Sequence, residues 1–118
     1  MKKVYYLSTC STCQRILNEW KADDSFELQD IKTDKITPAQ IDMMISMAGS
    51  AAALFSKRAL KYRAMGLHER ELSEKEMRQL ILDEYTFLSR PVLVLTDAIF
   101  VGNAKKTVDT AKAKLASI

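Results

Sequence analysis

The chain has 118 residues, which suits a single domain with a sizeable core. Apolar residues make up 47% of it, which excludes a disordered chain, and a net charge of +3 permits an anionic partner without demanding one. No apolar run approaches a membrane span, and Met1-Lys2-Lys3 leads straight into a strand pattern without the apolar region of a signal peptide. The expectation is a cytoplasmic protein with no membrane partner.

Lys2 to Leu7 reads as a buried first strand, and Thr12 to Trp20 as a first helix with Ser11 or Thr9 as its cap. Phe26 to Asp30 alternates apolar and polar residues and reads as a second strand, so the chain opens as a parallel βαβ unit. Thr37-Pro38 marks a helix start, with Gln40 completing a capping box and Gly49 in the terminating position. Ser50 is expected to cap a short Ala-rich helix through Phe55, and a further helix from Arg58 to Met65 to end at Gly66. Ser73-Glu74-Lys75-Glu76 is a second capping box, followed by Met77, Leu80 and Ile81 at helical spacing. Residues 37 to 88 thus form a helical block. Val92 to Leu95 then reads as a buried strand, Asp97-Ala98 as a two-residue turn and Ile99 to Val101 as an antiparallel partner, closed by Gly102. Ala104 to Leu115 is an amphipathic helix with Val108, Ala111 and Leu115 facing inward.

The order βαβ, helical block, ββα describes an α/β protein: a thioredoxin-like, four-stranded mixed sheet forming one domain over residues 1–118, with residues 37–88 as a helical insertion. That fold places a cis-proline beside a redox cysteine, at the position of Pro91. The alternative is an ordinary trans proline opening an edge strand.

Cys10-Ser11-Thr12-Cys13 falls at the turn from the first strand into the first helix. The free N–H groups and partial positive charge of a helix start favour thiolate over thiol, and the thiolate is the attacking species. Cys10 is therefore the expected nucleophile. Cys13, one turn later, is the expected resolving thiol. Two cysteines are too few for a structural zinc, and the single His68 is remote in sequence, so no metal is expected. The remaining alternative is a pair of inert core thiols. His68 reads as a solvated loop residue and Met43, Met44 and Met47 as core. Trp20 is expected half-buried. Lys105 and Lys106 stand against the dipole at the last helix's start, which points to an anion or acidic partner nearby.

Tyr6-Leu7-Ser8-Thr9-Cys10-Ser11-Thr12-Cys13, then Asp30-Ile31-Lys32-Thr33 running to Thr37-Pro38, Lys57-Arg58 with Tyr62 and Gly66-Leu67, and Leu88-Ser89-Arg90-Pro91-Val92 occur in an order and spacing covering nearly the whole chain. Over this span the chain resembles the arsenate reductase (ArsC)/Spx family. The resemblance implies Cys10 as the working thiol and Arg90 beside a cis-Pro91. An oxyanion substrate needs donors and positive charge. The helix start around Ser11 and Thr12 supplies the N–H groups, and Arg90, Arg58 and Arg15 supply candidate cations, with Lys57 a weaker one. For Arg90 the structural alternative is an ion pair with Glu84. No bound cofactor is required. The electron donor would be a thiol reductant, either glutathione with glutaredoxin or thioredoxin, acting as a redox partner protein.

Glutathione-dependent reductases of the family use three arginines. The position of the first falls near Ser56, with Lys57-Arg58 just after it, and that of the third at or near Gly102; no arginine follows Arg90 here. Those enzymes also commonly lack the second cysteine. The C-x-x-C and Gly102 look more like the Spx-type branch, a redox-sensing regulator that binds the RNA polymerase α-subunit. Two readings follow: a thiol–disulfide oxidoreductase acting on a small oxyanion or thiol substrate, or an Spx-like regulator. Neither involves direct nucleic-acid binding, because no helix carries a basic reading stripe. A monomer is expected.

Overall fold

The computed structural model describes residues 1–118. In chain order the elements are β1 (Lys2–Tyr6), α1 (Ser11–Glu19), β2 (Glu27–Asp30), α2 (Pro38–Ala48), α3 (Leu60–Ala64), α4 (Glu74–Asp83), β3 (Val92–Leu95), β4 (Ile99–Val101) and α5 (Lys105–Ala116). Two short 3-10 turns, Leu67–Glu69 and Tyr85–Phe87, flank α4. The chain divides into two compact units, one of residues 1–34 and 90–118, the other of residues 35–89.

The first unit holds the sheet, in the order β2-β1-β3-β4. β1 runs parallel to β2 and antiparallel to β3, and β3 runs antiparallel to β4, so the expected mixed four-stranded sheet is present. All four residues of β3 are buried, as expected for an apolar strand covered on both faces. Val4 lies opposite Leu93, and these with Leu95 meet Ile16, Leu17 and Trp20 from α1 and Val108 and Ala111 from α5. Apolar residues at positions 13, 16, 17 and 20 repeat with helical period, which is why α1 buries that stripe. Trp20 is only 5% exposed, deeper than the half-burial expected, because its indole N–H donates to the Val108 carbonyl of α5 at 3.2 Å. Lys21 then takes a left-handed conformation (φ +53°). Its N–H and that of Ala22 return to the carbonyls of Asn18 and Leu17, a Schellman ending in which lysine replaces the usual glycine.

The second unit is the helical block. Thr37 and Ser73 cap α2 and α4 through reciprocal boxes with Gln40 and Glu76, and Gly49 ends α2 at φ +98°. Ile41 and Met44 of α2 and Met77 and Ile81 of α4 are buried. The Arg78 guanidinium grips both Asp42 carboxylate oxygens, at 2.7 and 3.1 Å.

Several expected boundaries move. β2 starts at Glu27. The Ala-rich segment after Ser50 forms turns, not a helix, because the Glu74 carboxylate takes the Ala51 and Ala52 N–H groups at 2.6 and 3.1 Å and Phe55 bridges to Leu88. The helix expected from Arg58 contracts to Leu60–Ala64. The hairpin turn lies one residue earlier than expected, at Thr96-Asp97, closed by the Leu95 N–H on the Ala98 carbonyl at 2.8 Å. No helix is long and apolar enough to cross a membrane.

Candidate active site

β1 delivers Leu7 to Cys10 to one end of the sheet. Because Tyr5 pairs with Val92, the antiparallel register brings Arg90-Pro91 to that same end. The Arg90–Pro91 peptide bond is cis. The Pro91 carbonyl accepts the Gly102 N–H at 2.9 Å, and Gly102, at φ +89°, occupies a conformation open to glycine.

Cys10 itself is the residue that caps α1, with φ −96° and ψ 114°; neither Ser11 nor Thr9 holds that position, and Ser11 is the first helical residue. Serine and threonine lead the capping preferences, so the sequence favours them. Here the apolar stripe fixes the helix phase and leaves the thiol at the cap. The sulfur makes no full capping hydrogen bond. The Cys13 and Thr12 N–H groups nevertheless lie close enough to favour its anion.

The two thiols are free and differ in kind. Cys10 is partly exposed, whereas Cys13 is 1% exposed. Partial burial pushes the Cys10 thiol up, and is its largest single influence. The Cys13 N–H, the Cys13 thiol, the Thr12 N–H and the Arg90 charge together outweigh it, and Cys10 lies below its ordinary value of 9.0. Burial pushes Cys13 up to about 11; the Leu7 backbone and Arg90 oppose this, while the developing Cys10 charge adds to it. One thiol is thus biased to ionise, and its neighbour to stay protonated and donate to it.

Arg15 points to Glu19 on the exposed side of α1, at 3.5 Å. Arg58 lies in the helical unit, exposed, with its N–H on the Ser56 hydroxyl at 3.3 Å. In that same unit a cavity of about 750 Å³ is lined by Phe55, Lys57, Tyr62, His68, Arg70 and Met77. The His68 ring stands 6.4 Å from that of Tyr62 and lines this cavity, while the residue is exposed in the short turn Leu67–Glu69, as expected of a solvated position. Glu84, the alternative partner weighed for Arg90, is held by Lys61. Lys105 faces Asp109 on its own helix at 2.7 Å, which accounts for its unfavourable place near the dipole. No group of three or more His, Cys, Asp or Glu side chains converges to hold a metal.

Beside Cys10 stand three residues, Ser8, Gln14 and Asp30, whose roles no local sequence pattern reveals. The Ser8 hydroxyl donates to Asp30 at 2.5 Å, and the Gln14 side-chain amide donates to the Ser8 carbonyl at 3.1 Å.

The ArsC family profile matches residues 5–111. The chain belongs to the ArsC family. Among solved structures, this ArsC-family protein is similar to one described as a possible arsenate reductase from Streptococcus mutans, at 27% identity and a TM-score of 0.68, covering 92% of this chain and 98% of that one. It is also similar to an arsenate reductase from Vibrio cholerae (13% identity, TM-score 0.77, covering 92% and 95%) and to a YffB protein (21% identity, TM-score 0.79, covering 98% and 99%). The last two likenesses show the thioredoxin-like fold alone. No curated protein matches the chain by sequence.

Proposed function

We propose that this ArsC-family chain is a cytoplasmic thiol–disulfide oxidoreductase of the arsenate-reductase type. The observation that carries the reading is the unequal thiol pair: Cys10 lowered at a helix start beside Arg90, and Cys13 raised to about 11 one turn away. With arsenate, the Cys10 thiolate forms a sulfur–arsenic bond and hydroxide leaves, taking a proton to become water. A second thiol, from Cys13 or a glutathione-type reductant, then attacks the Cys10 sulfur. The sulfur–arsenic bond breaks with its electron pair on arsenic, arsenite leaves, and a disulfide forms. Two thiol equivalents from thioredoxin or glutathione–glutaredoxin then reduce a Cys10–Cys13 disulfide, whereas one further thiol frees Cys10 from a mixed disulfide with glutathione. Arg90, with its planar fork, and the N–H groups of Ser11 and Thr12 would hold the oxyanion, with Arg15 as a further cation. A disulfide or glutathione adduct would use the same nucleophile.

A second reading is an Spx-like redox regulator that binds the RNA polymerase α-subunit, favoured by the paired cysteines and by the absence of any arginine after Arg90. Arsenate-dependent NADPH oxidation separates them, coupled through glutathione–glutaredoxin and separately through thioredoxin, with Cys10→Ser as control. Turnover lost in Cys10→Ser supports the reductase. No turnover with either donor overturns it and shifts weight to the regulator, which then must retain the polymerase α-subunit in one redox state.

A further inference from the structure

The turn Leu7–Cys10, closed by the Cys10 N–H on the Leu7 carbonyl at 3.0 Å, is exposed at Ser8 and Thr9 and contains no proline to stiffen it. Its stiffness comes from outside. The parallel register sets Asp30 opposite Tyr6, and the Ile31 N–H reaches the Tyr6 carbonyl at 2.9 Å, so the end of β2 stands beside the turn. From there Asp30 accepts the Ser8 hydroxyl at 2.5 Å and the Ser8 N–H at 3.4 Å, and is itself fixed by the Lys32 N–H at 3.2 Å. From the other side, Gln14 grips the turn twice. Its backbone N–H donates to the Cys10 carbonyl at 3.1 Å, and its side chain donates to the Ser8 carbonyl at 3.1 Å. Every polar backbone and side-chain group of Ser8 therefore has a partner, and those partners come from two different elements.

We infer that Ser8, Asp30 and Gln14 form a clamp of positioning residues that holds the Cys10 sulfur over the start of α1, so that loosening it makes Cys10 a poorer nucleophile at neutral pH. The N–H groups of Thr12 and Cys13 act on the sulfur only while the Cys10 backbone keeps its extended conformation. That conformation is the last step of the Leu7–Cys10 turn, and Ser8 is the residue by which the turn is held. Asp30 belongs to the clamp by geometry and not by charge: a carboxylate near a thiolate disfavours it, so its net benefit to Cys10 must come through Ser8.

The inference deepens the thiolate reading above, but its test needs no arsenate. The rate of Cys10 carbamidomethylation by iodoacetamide is measured against pH in the reduced full-length protein, with melting followed by circular dichroism. Ser8→Ala and Gln14→Ala change no charge. Each is expected to move the midpoint of the rate profile upward and to slow alkylation near neutral pH about threefold, which corresponds to half a pKa unit. Ser8→Thr keeps the hydroxyl and is expected to retain the wild-type midpoint. Asp30→Asn is expected to raise the midpoint too, against the fall that loss of a negative charge alone would give. An unchanged midpoint in both neutral variants overturns the clamp, whether or not their melting temperature falls, since a merely structural role moves melting and leaves the midpoint. If the midpoints shift but wild type reduces no arsenate, the reductase reading fails and the clamp stands; the reverse pattern keeps the reductase and removes the clamp.

Discussion

The unequal thiols predict strong selectivity toward alkylation. At about pH 7 a thiol with a pKa of about 11 is ionised in roughly one molecule in ten thousand. A thiol at its ordinary 9.0 would be ionised about a hundred times more often, and Cys10 lies below that value. Nucleophilicity works the other way. A less basic thiolate attacks more slowly, with a Brønsted slope of about 0.4–0.5, which returns roughly a factor of ten over two pKa units. Ionisation therefore leaves Cys10 at least about tenfold faster than Cys13, before the burial of Cys13 blocks the reagent further. A short pulse of iodoacetamide on the reduced protein, quenched well before completion and read by peptide mass spectrometry, measures the ratio. The pulse must be short because alkylation of Cys10 removes the charge that helps keep Cys13 protonated. Equal labelling, or Cys13 first, would refute the assignment of nucleophile and resolving thiol.

Replacing Arg90 with leucine removes a cation that favours both thiolates, so the Cys10 midpoint should rise and its alkylation near neutral pH should slow, while Arg90→Lys should shift it less. Trp20→Phe keeps an aromatic ring but loses the 3.2 Å bond to Val108 and some packing, and should cost about 1–2 kcal/mol by denaturant unfolding. Lys21→Gly removes a side chain from the left-handed ending of α1 and should add about 0.5–1 kcal/mol by the same measurement; a loss would show that the side chain contributes more than the conformation costs.

Much of this molecule is readable from local chemistry. The boxes at Thr37 and Ser73, the glycine ending α2 and the apolar runs of β1 and β3 act through neighbours in the chain, and sequence order suffices to see them. What escapes is set by residues far apart. The Ala-rich stretch after Ser50 has the propensity for a helix, but Glu74, from α4, captures the N–H groups of Ala51 and Ala52. The cap of α1 looks like Ser11 or Thr9 by preference, yet the phase of Cys13, Ile16, Leu17 and Trp20 assigns it to Cys10. The Ser8–Asp30 bond becomes visible only once the β1–β2 register is known, since nothing local links the two residues. Cys10 and Cys13 could be found because a strand–turn–helix pattern frames them, and Arg90-Pro91 through the likeness to a known fold and family; the support around them could not.

The β1–β3 pairing has a consequence for how the chain tolerates change. β1 reaches β2 through the single helix α1, and β3 reaches β4 through a tight turn, but Tyr5 meets Val92 only after the whole helical segment has been spanned. Closing so long a loop carries an entropic cost that grows only with the logarithm of its length, by about 0.6 kcal/mol for each doubling. Lengthening or trimming the connections inside residues 35–89 therefore alters the joining of the sheet very little. The sheet end that carries Cys10 and Arg90 is thermodynamically insulated from the length of the segment that separates them in sequence.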